Sequence, residues 1–146
     1  MDLQDILAFY DQQQRIDVEH PGVRKDASPR LVRFVRPAPG MSWIQYSRLD
    51  ESNADAAIQE QIDYFTQINQ PFGWKVYDHD GPPDLKIRLA AHGLQPDELE
   101  GVMVLDLSEV PASLLEPIRA DVRSITRREQ LVDVIRVEEQ IGRAHV

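Results

Sequence analysis

The stretch WKVYDHDGPPDLKIRLAAHGL, residues 74–94, decides how the middle of the chain folds. Its first four residues favour a short strand, and the glycine and two prolines at 81–83 predict a turn with proline at the first helical position. Leu85 and Leu89 are spaced to lie on one face of a helix, and Gly93 stands where a left-handed C-cap belongs. The pattern therefore predicts a strand, a turn and a short capped helix.

The same stretch contains residues that could carry chemistry. Asp78, His79 and Asp80 are all potential metal ligands, but consecutive strand residues point to alternate faces, so they would converge only in a curled loop. No H-E-x-x-H motif supports a zinc site. We expect instead that these residues solvate the strand end and cap the helix, because Asp favours turns and caps. His92, beside Gly93, is explained by the favourable dipole at a helix C-terminus.

Composition limits the classes of protein to consider. The chain has 146 residues, enough for one domain with a buried core, and its lack of cysteine excludes disulfides, zinc–thiolate sites and a cysteine nucleophile within it. Its 25 acidic and 16 basic residues give a formal net charge of -9, which repels phosphate backbones and argues against nucleic acid as a partner. The polar start lacks a leader pattern, and no stretch approaches the roughly 20 apolar residues of a membrane helix. We expect a cytoplasmic protein without membrane contact.

Before this stretch, the pattern predicts a helix, a hairpin and a second helix. Apolar residues at i, i+3, i+4 and i+7 predict the first helix over residues 3–10, and residues 23–29 favour a loop. Residues 31–36 and 42–49 are rich in β-branched and aromatic side chains and predict a hairpin. An apolar stripe then predicts a long helix, capped by Ser52 or Asn53, with the members Ala54, Ala57, Ile58, Ile62, Phe65 and Ile68.

After residue 94, the pattern predicts one more strand and the start of a second domain. The continuous apolar run GVMVLDL, residues 101–107, predicts a strand buried on both faces. Residues 112–119 form a linker with prolines nearby, and residues 119–126 favour a new strand. Thr126 and Glu129 form a capping box ahead of another apolar helix. A single βα unit cannot cover its own apolar face, so this unit is incomplete by itself.

Other chemistry-bearing residues have structural explanations. Trp74 and Tyr77 could stack on a ligand, although aromatic strand residues more often pack in a sheet, and Met103 is expected in the core. A Ser-His-Asp catalytic triad remains an alternative, because its three residues need to be close in space and not in sequence. However, no G-x-S-x-G nucleophile elbow is present. Three tyrosines have no polar neighbour in sequence that marks them as acids: Tyr10, Tyr46 and Tyr64. Arg127 and Arg128 are expected to face solvent.

The order helix, hairpin, helix, strand, helix, strand, with LAAHGL (residues 89–94) closing the last helix and GVMVLDL following, resembles the GNAT N-acetyltransferase family. In that family a late helix ends in a lysine- or histidine-glycine-phenylalanine turn, and Leu94 here replaces the phenylalanine. Residues 1–111 look like the amino-terminal half of bacterial proteins built from two GNAT domains in tandem. The resemblance implies an α/β (α+β) fold, with a mixed, mostly antiparallel sheet flanked by helices and followed by the first βα unit of a second domain.

The family's cofactor motif is where this sequence departs. GNAT enzymes bind the acetyl-CoA pyrophosphate on a Gln/Arg-x-x-Gly-x-Gly/Ala loop between a strand and a helix. Residues 70–75 begin that motif with Gln70 and Gly73 but end it with Lys75, and they lead into a strand. The expected position, SRLDESNADAAIQ, has no glycine and presents three carboxylates that would oppose a phosphate: Asp50, Glu51 and Asp55. We expect no cofactor-binding residues in this chain, no metal site, and no catalytic residue that can be named.

The resemblance implies that the two domains of the longer protein have different roles. Residues 1–111 would form a degenerate, non-catalytic GNAT-like domain that supports or shapes the acceptor site, with 112–119 as linker and 120–146 as the truncated start of a second GNAT-like domain. In tandem GNAT proteins one domain can lose the cofactor site while its partner keeps it. The longer protein would then transfer acetyl from acetyl-CoA to a small-molecule amine, and its partner would be the missing C-terminal GNAT domain of the same chain.

The last six residues, IGRAHV at 141–146, suggest that the chain is a fragment. Gly142 is expected to break the helix, and these residues match what a common sequencing adapter would encode in one frame. Natural protein would then end near Gln140. One alternative is a non-enzymatic small-molecule-binding or protein-interaction domain with a GNAT-like fold, and the weakest is a metal-dependent enzyme that uses His79 and its flanking aspartates.

Overall fold

The computed structural model of the protein describes residues 2–117 and 124–143. Contacts divide the chain into two compact units, Met1–Leu99 and Glu100–Val146. In the first unit helices flank a four-stranded mixed sheet, so the mixed α+β class predicted from the sequence is confirmed. The domain bounds predicted from the sequence stay a prediction.

The sheet contains four strands that are neighbours in the order of the sequence. They are β1 (Arg24–Ser28), β2 (Leu31–Val35), β3 (Ser42–Ser47) and β4 (Phe72–Trp74). The first two pairings are antiparallel, which confirms the predicted hairpin of β2 and β3, and β4 pairs with β3 in parallel. The parallel pair requires a crossover, which the helix between the two strands supplies.

Strand β1 was predicted as a loop, and that prediction is wrong. Its sequence RKDAS has no apolar alternation, and none of its residues is buried. Backbone pairing with β2 holds it at the sheet edge, and Arg33 Nε of β2 donates to Asp26 Oδ2 at 3.0 Å. A polar edge strand of this kind leaves little periodic signal in a sequence.

Three helices pack around the sheet. Helix α1 (Leu3–Tyr10) is capped by Asp2 and continues as a π-helical segment, Asp11–Ile16, whose last residues contact β3. Helix α2 (Ala54–Gln67) connects β3 to β4, with Asn53 at its predicted N-cap position. Helix α3 (Leu85–Ala91) follows β4.

The end of α3 confirms the prediction made for the glycine after it. Gly93 has a φ of +92°, and its amide donates to Ala90 O at 3.0 Å. Leu94 N donates to Leu89 O at 3.1 Å, which completes a Schellman motif. His92 is the C-cap residue, as its position in the sequence predicted.

Two groups of buried apolar side chains form the core. The first joins α2 and α3 and contains Leu49, Ala54, Ile58, Leu85 and Leu89. The second lies between α2 and the sheet and contains Leu31, Ile44 and Phe65. The predicted apolar stripe of α2 is thereby confirmed in its main part, although Ile68 at its end is 38% exposed. Trp74 packs against both groups, so its predicted role in packing is confirmed.

The pairing of β2 with β3 contains a bulge. Val32 lies opposite Tyr46 and Arg33 lies opposite Ile44, which leaves Gln45 without a partner on β2. A bulge of this kind frees backbone polar groups from the ladder and re-aims side chains. The backbone carbonyl of Gln45 is used by a charged side chain described below.

The predicted buried strand over residues 101–107 is wrong. These residues have no regular secondary structure, and their apolar side chains are exposed: Val102, Met103, Val104, Leu105 and Leu107. The expected core position of Met103 is therefore also wrong, since it is 96% exposed. A strand buried on both faces needs neighbours on both sides, and the described part of the second unit contains no strand that could pair with it.

The second unit contains a short 3₁₀ turn, Ala112–Leu114, another at Arg128–Gln130, and helix α4, Leu131–Arg143. Gln130 Oε1, rather than Glu129, accepts from the amides of Thr126 and Arg127 ahead of α4. The expected break at Gly142 is wrong, because α4 extends through Gly142 to Arg143.

Two predictions about the second unit lie partly outside the described residues. For the predicted strand over 119–126, residues 119–123 fall outside, and 124–126 have no regular structure. Residues 144–146 of the tail are also outside. Across the described ranges, no helix has both the length and the apolar character needed to cross a membrane.

Candidate functional site

The turn after β4 directs its three polar side chains to three different partners. Asp78 is exposed and forms an ion pair with Lys86 of α3. His79 approaches Asp11 of the π-helical segment, and Asp80 turns inward to Arg15. The prediction that these residues solvate the strand end therefore holds for Asp78 and is wrong for Asp80. The predicted cap is wrong as well, because Asp84 occupies the N-cap position of α3.

Arg15 is the centre of this cluster and is completely buried. The π-helical segment places it against the sheet, where its Nε donates to the free carbonyl of Gln45 at 3.2 Å. The Gln45 side chain in turn donates through Nε2 to Gln14 O at 2.9 Å. The bulged residue of β3 thus binds the N-terminal helical segment through both its carbonyl and its side chain.

Two carboxylates balance the charge of Arg15. Asp80 accepts two parallel hydrogen bonds, 2.8 Å from Nη1 and 2.7 Å from Nη2, and Asp11 accepts a third at 2.8 Å. Burial opposes the charge of Arg15, but the hydrogen bonds to Asp80 and Asp11 outweigh it and raise the pKa of the guanidinium above its usual value. Removing either carboxylate would leave part of a buried charge without a partner.

His79 forms the exposed edge of the cluster. Its Nε2 lies 3.0 Å from Asp11 Oδ2 and 3.1 Å from Asp11 Oδ1, and its side chain is 29% exposed. Asp11 therefore lies between a buried arginine and an exposed histidine. This arrangement orders the histidine ring, because a carboxylate that accepts from one ring nitrogen selects the tautomer.

Two tyrosines cover the guanidinium of Arg15. The ring of Tyr77 has its centroid 4.1 Å from the guanidinium carbon, and the ring of Tyr46 lies at 5.0 Å. The hydroxyls of Tyr77 and Tyr10 are 3.1 Å apart. Burial, together with the hydrogen bond shared with the Tyr10 hydroxyl, raises the pKa of Tyr77 to about 12. The tyrosine is therefore a neutral hydrogen-bonding group at physiological pH.

The cluster is a closed network of hydrogen bonds. Within the described ranges, every buried side-chain nitrogen or oxygen has a hydrogen-bond partner. No group of three or more histidine and acidic residues in those ranges is placed to hold a metal ion. The hydrogen bonds of the cluster therefore connect the N-terminal helix, the bulge and the turn after β4.

The connection from β3 to α2 borders an open depression. The depression has a volume of about 530 Å³ and is lined by Leu49, Asp50, Glu51, Ser52, Gly81, Pro82 and Pro83. Asp50 Oδ1 accepts hydrogen bonds from the amide and the hydroxyl of Ser52, and these bonds lower the pKa of Asp50. The carboxylate is therefore ionised at neutral pH.

Two backbone amides at the start of α2 donate hydrogen bonds to an acceptor within this connection. The backbone N–H groups of Asn53 and Ala54 both donate to Asp50 O, at 3.2 Å and 3.0 Å. Asp50 N donates to the side chain of Asn53 at 3.0 Å. Two of the amides that would face an anion at this helix N-terminus thus already have a partner within the chain.

Asp55, in the first turn of α2, is paired with α3. Its carboxylate accepts from Arg88 and lies 3.1 Å from His92 Nε2. The hydrogen bond from His92, followed by that from Arg88, lowers the pKa of Asp55. His92 therefore has a second contribution beyond the helix dipole, since it connects α3 to α2.

The partial cofactor motif at residues 70–75 lies in and around β4. Gln70 accepts from Ser42 Oγ at 3.1 Å and donates to Arg36 O at 3.1 Å, so it connects the end of α2 to the hairpin. Gly73 is inside the strand, and Lys75 is exposed beyond it. The structure thus places Gly73 inside a strand, whereas the sequence predicted that the motif precedes a strand over residues 74–77; that prediction is wrong for residues 75–77, which have no regular structure.

Two further candidates also have packing roles. Trp74 donates through Nε1 to Ser47 Oγ at 3.3 Å in the core. The ring of Tyr64 stacks with the guanidinium of Arg33, 3.4 Å from its centroid. Arg127 and Arg128 are exposed, as expected.

Sequence reasoning missed Arg15 and Asp11. The only local signal was their i, i+4 spacing in a helical segment, which predicts an ordinary surface ion pair. Burial of Arg15 depends on a bulge 30 residues later and on Asp80, 65 residues later.

Comparison of the chain with protein-family models, with curated proteins and with solved structures found no match in any of the three.

Proposed function

We propose that the first unit is a GNAT-like scaffold domain of an N-acetyltransferase, which helps to shape the acceptor site and does not itself bind acetyl-CoA. The observation that carries this proposal is the order and direction of its elements. A helix is followed by three antiparallel strands, a crossover helix, a strand parallel to its neighbour and a short capped helix. This order supports the GNAT resemblance, from which it departs in the additional edge strand β1 and in the final strand.

The connection from β3 to α2 supports the second half of the proposal. It stands where the family's pyrophosphate loop would be, between a strand and the long helix. The amides of Asn53 and Ala54 donate to Asp50 O, and Asp50 and Glu51 add negative charge, whereas Asp55 is paired with Arg88. A pyrophosphate would have to displace existing hydrogen bonds and approach like charges, so the cofactor would belong to another domain.

The reaction of the longer protein would be acetyl transfer from acetyl-CoA to a small-molecule amine. The missing C-terminal GNAT domain would supply the cofactor site, and residues 120–146 would be its beginning. The net charge of -9 supports an amine acceptor, because a negative surface raises the local concentration of cations.

Calorimetric titration with acetyl-CoA tests both halves of the proposal. We expect no saturable heat from the 146-residue chain. The gene product obtained by sequencing the source DNA past the Gln140 codon should bind acetyl-CoA and release CoA thiol in the presence of a polyamine. In that longer protein Asp50→Asn should leave acetyl-CoA affinity unchanged, because the connection is outside the cofactor site.

Three results would contradict the proposal. Saturable acetyl-CoA binding by the 146-residue chain would show that this unit holds the cofactor. Loss or gain of cofactor affinity in the Asp50→Asn protein would place the cofactor at the connection. A stop codon directly after Val146 would remove the second domain and favour a small binding or interaction domain instead.

A further inference from the structure

The sheet carries a second feature around Trp43 of β3, which is linked to the Arg15 cluster through the side chain of Gln45. In the strand register, Trp43 lies between Phe34 of β2 and Gly73 of β4. Phe34 stacks on the indole, with ring centroids 5.1 Å apart and an interplanar angle of 28°. On the other side Gly73 has no side chain, and a Cβ built there would meet only Met41 Cε, at 3.1 Å. The position above Gly73, beside the indole, is therefore bordered by the flexible end of Met41, and we call this position the Trp43 notch.

The indole at this notch is held in one orientation. Its Nε1 donates to Gln45 Oε1 at 2.7 Å, and the ring of His20 packs against its edge with centroids 5.3 Å apart. Trp43 itself is half-buried. A ligand that stacks there would lose little free energy to ordering of the protein.

Two cations lie beside the same indole. The guanidinium carbon of Arg36 is 5.6 Å from the ring centroid, and Lys75 Nζ is 5.9 Å from it. Across residues 2–117 and 124–143, neither cation forms a salt bridge, whereas Arg33 and Arg88 do. In a chain of net charge -9, two unpaired cations at one aromatic ring form a locally positive surface.

We propose that the Trp43 notch binds a small planar anion. The ring of the ligand lies on the indole above Gly73, and its acidic group is bound by Arg36 and Lys75. A glycine inside a strand often marks a place where a ligand approaches the backbone closely. Offset stacking suits an aromatic ring, and guanidinium and ammonium groups bind carboxylate and phosphate alike. This inference goes beyond the proposed acetyl transfer and does not depend on it.

Binding can be followed on the indole N–H signal of Trp43 by NMR. The chain contains two tryptophans, so Trp74→Phe assigns the signal. The ¹⁵N-labelled 146-residue chain is titrated with indole-3-acetate, which offers a carboxylate, and with adenosine 5′-monophosphate, which offers a phosphate. We expect a saturable shift of the Trp43 signal with at least one of them, and the stronger binder identifies the acidic group. Cyclohexylacetate, which lacks a planar ring, should bind more weakly, and the cation tryptamine should not bind.

Variants of the notch separate specific binding from a general charge effect. Arg36→Gln and Lys75→Gln should each weaken binding about twofold to fivefold, as expected for exposed ion pairs. Gly73→Ala should abolish binding, because its methyl group fills the notch while contacting only the flexible end of Met41. Arg30→Gln, which removes an exposed cation elsewhere, is the matched control and should bind normally.

The proposal would be overturned by either of two results. One is the absence of a saturable shift with both anions up to millimolar concentration. The other is unchanged affinity in Gly73→Ala and Lys75→Gln proteins whose spectra show the native fold.

Discussion

Arg15 and Asp80, 65 residues apart in the chain, form a bidentate ion pair in which both side chains are almost inaccessible to solvent. Arg15 comes from the π-helical segment, and Asp80 comes from the turn after β4. Asp80 also accepts from Tyr77 N at 2.9 Å, so its carboxylate shapes the turn as well. Asp80 thus holds the N-terminal helical segment in position and also stabilises the turn after β4.

Asp80→Ala should destabilise the protein strongly, by about 3–5 kcal/mol, because it leaves a buried guanidinium with half its partners. Urea unfolding followed by circular dichroism measures the change. Asp78→Ala is the matched control from the same turn, and we expect almost no effect because Asp78 is exposed. The double variant Arg15→Met, Asp80→Leu should recover part of the loss. Equal effects of Asp78→Ala and Asp80→Ala would contradict the central role of the pair.

Tyr77 should make stability depend on alkaline pH. Burial, and then the hydrogen bond with Tyr10, raises its folded-state pKa from 10.0 to about 12. A raised pKa means that the folded state favours the protonated phenol. The contribution is therefore complete below pH 10 and is lost as the pH rises towards 12.

Unfolding free energies measured across that range test the effect. Tyr77→Phe should show a shallower loss of stability than the unmodified chain between pH 10 and 12. Tyr10→Phe should show an intermediate slope, because burial of Tyr77 remains. Parallel curves for all three proteins would show that Tyr77 does not contribute.

Asp55 should titrate below its ordinary range. The hydrogen bonds from His92 and Arg88 lower its pKa from 3.8, so its stabilising contribution is present above that value and is lost as the pH falls through the lower folded-state pKa. NMR titration of the Asp55 carboxyl carbon measures this directly. His92→Gln should move the pKa back towards 3.8, whereas Lys86→Gln, which changes a contact of Asp78 on the same helix, should not. An unchanged pKa in His92→Gln would refute the assignment.

Gly93→Ala should cost about 1 kcal/mol, because φ of +92° is unfavourable for any residue with a Cβ. No atom lies within 4 Å of the added methyl group, so the cost is one of backbone conformation alone. Gly101→Ala is a suitable control, since it also meets no neighbour and has no positive φ. Chemical denaturation of the two variants should therefore differ, and a similar stability for both would disprove the argument.

Helices α2 and α3 could be predicted because their signals are local. The stripe containing Ile58 and Phe65 has helical spacing, and Gly93 marks the end of α3 by its own conformational freedom. The hairpin of β2 and β3 was predictable for the same reason, since β-branched and aromatic residues cluster between turn signals. In each case the residues that determine the element lie within it.

The features that could not be predicted depend on distant partners. Strand β1 is polar and exists because β2 offers it an edge, and Arg15 is buried because Gln45 is bulged out of register. The run at residues 101–107 has the composition of a buried strand, but composition does not supply neighbouring strands. Its burial was therefore predicted wrongly, although its apolar character was plain.

The exposure of that run has a practical consequence for handling the protein. GVMVL combines β-branched residues, no charge and unpaired backbone, which are the properties of segments that stack between molecules into cross-β aggregates. At neutral pH, mutual repulsion between chains of net charge -9 opposes such stacking. Near the isoelectric point of about 4.8 that repulsion vanishes, and the colloidal stability of the chain should be lowest there.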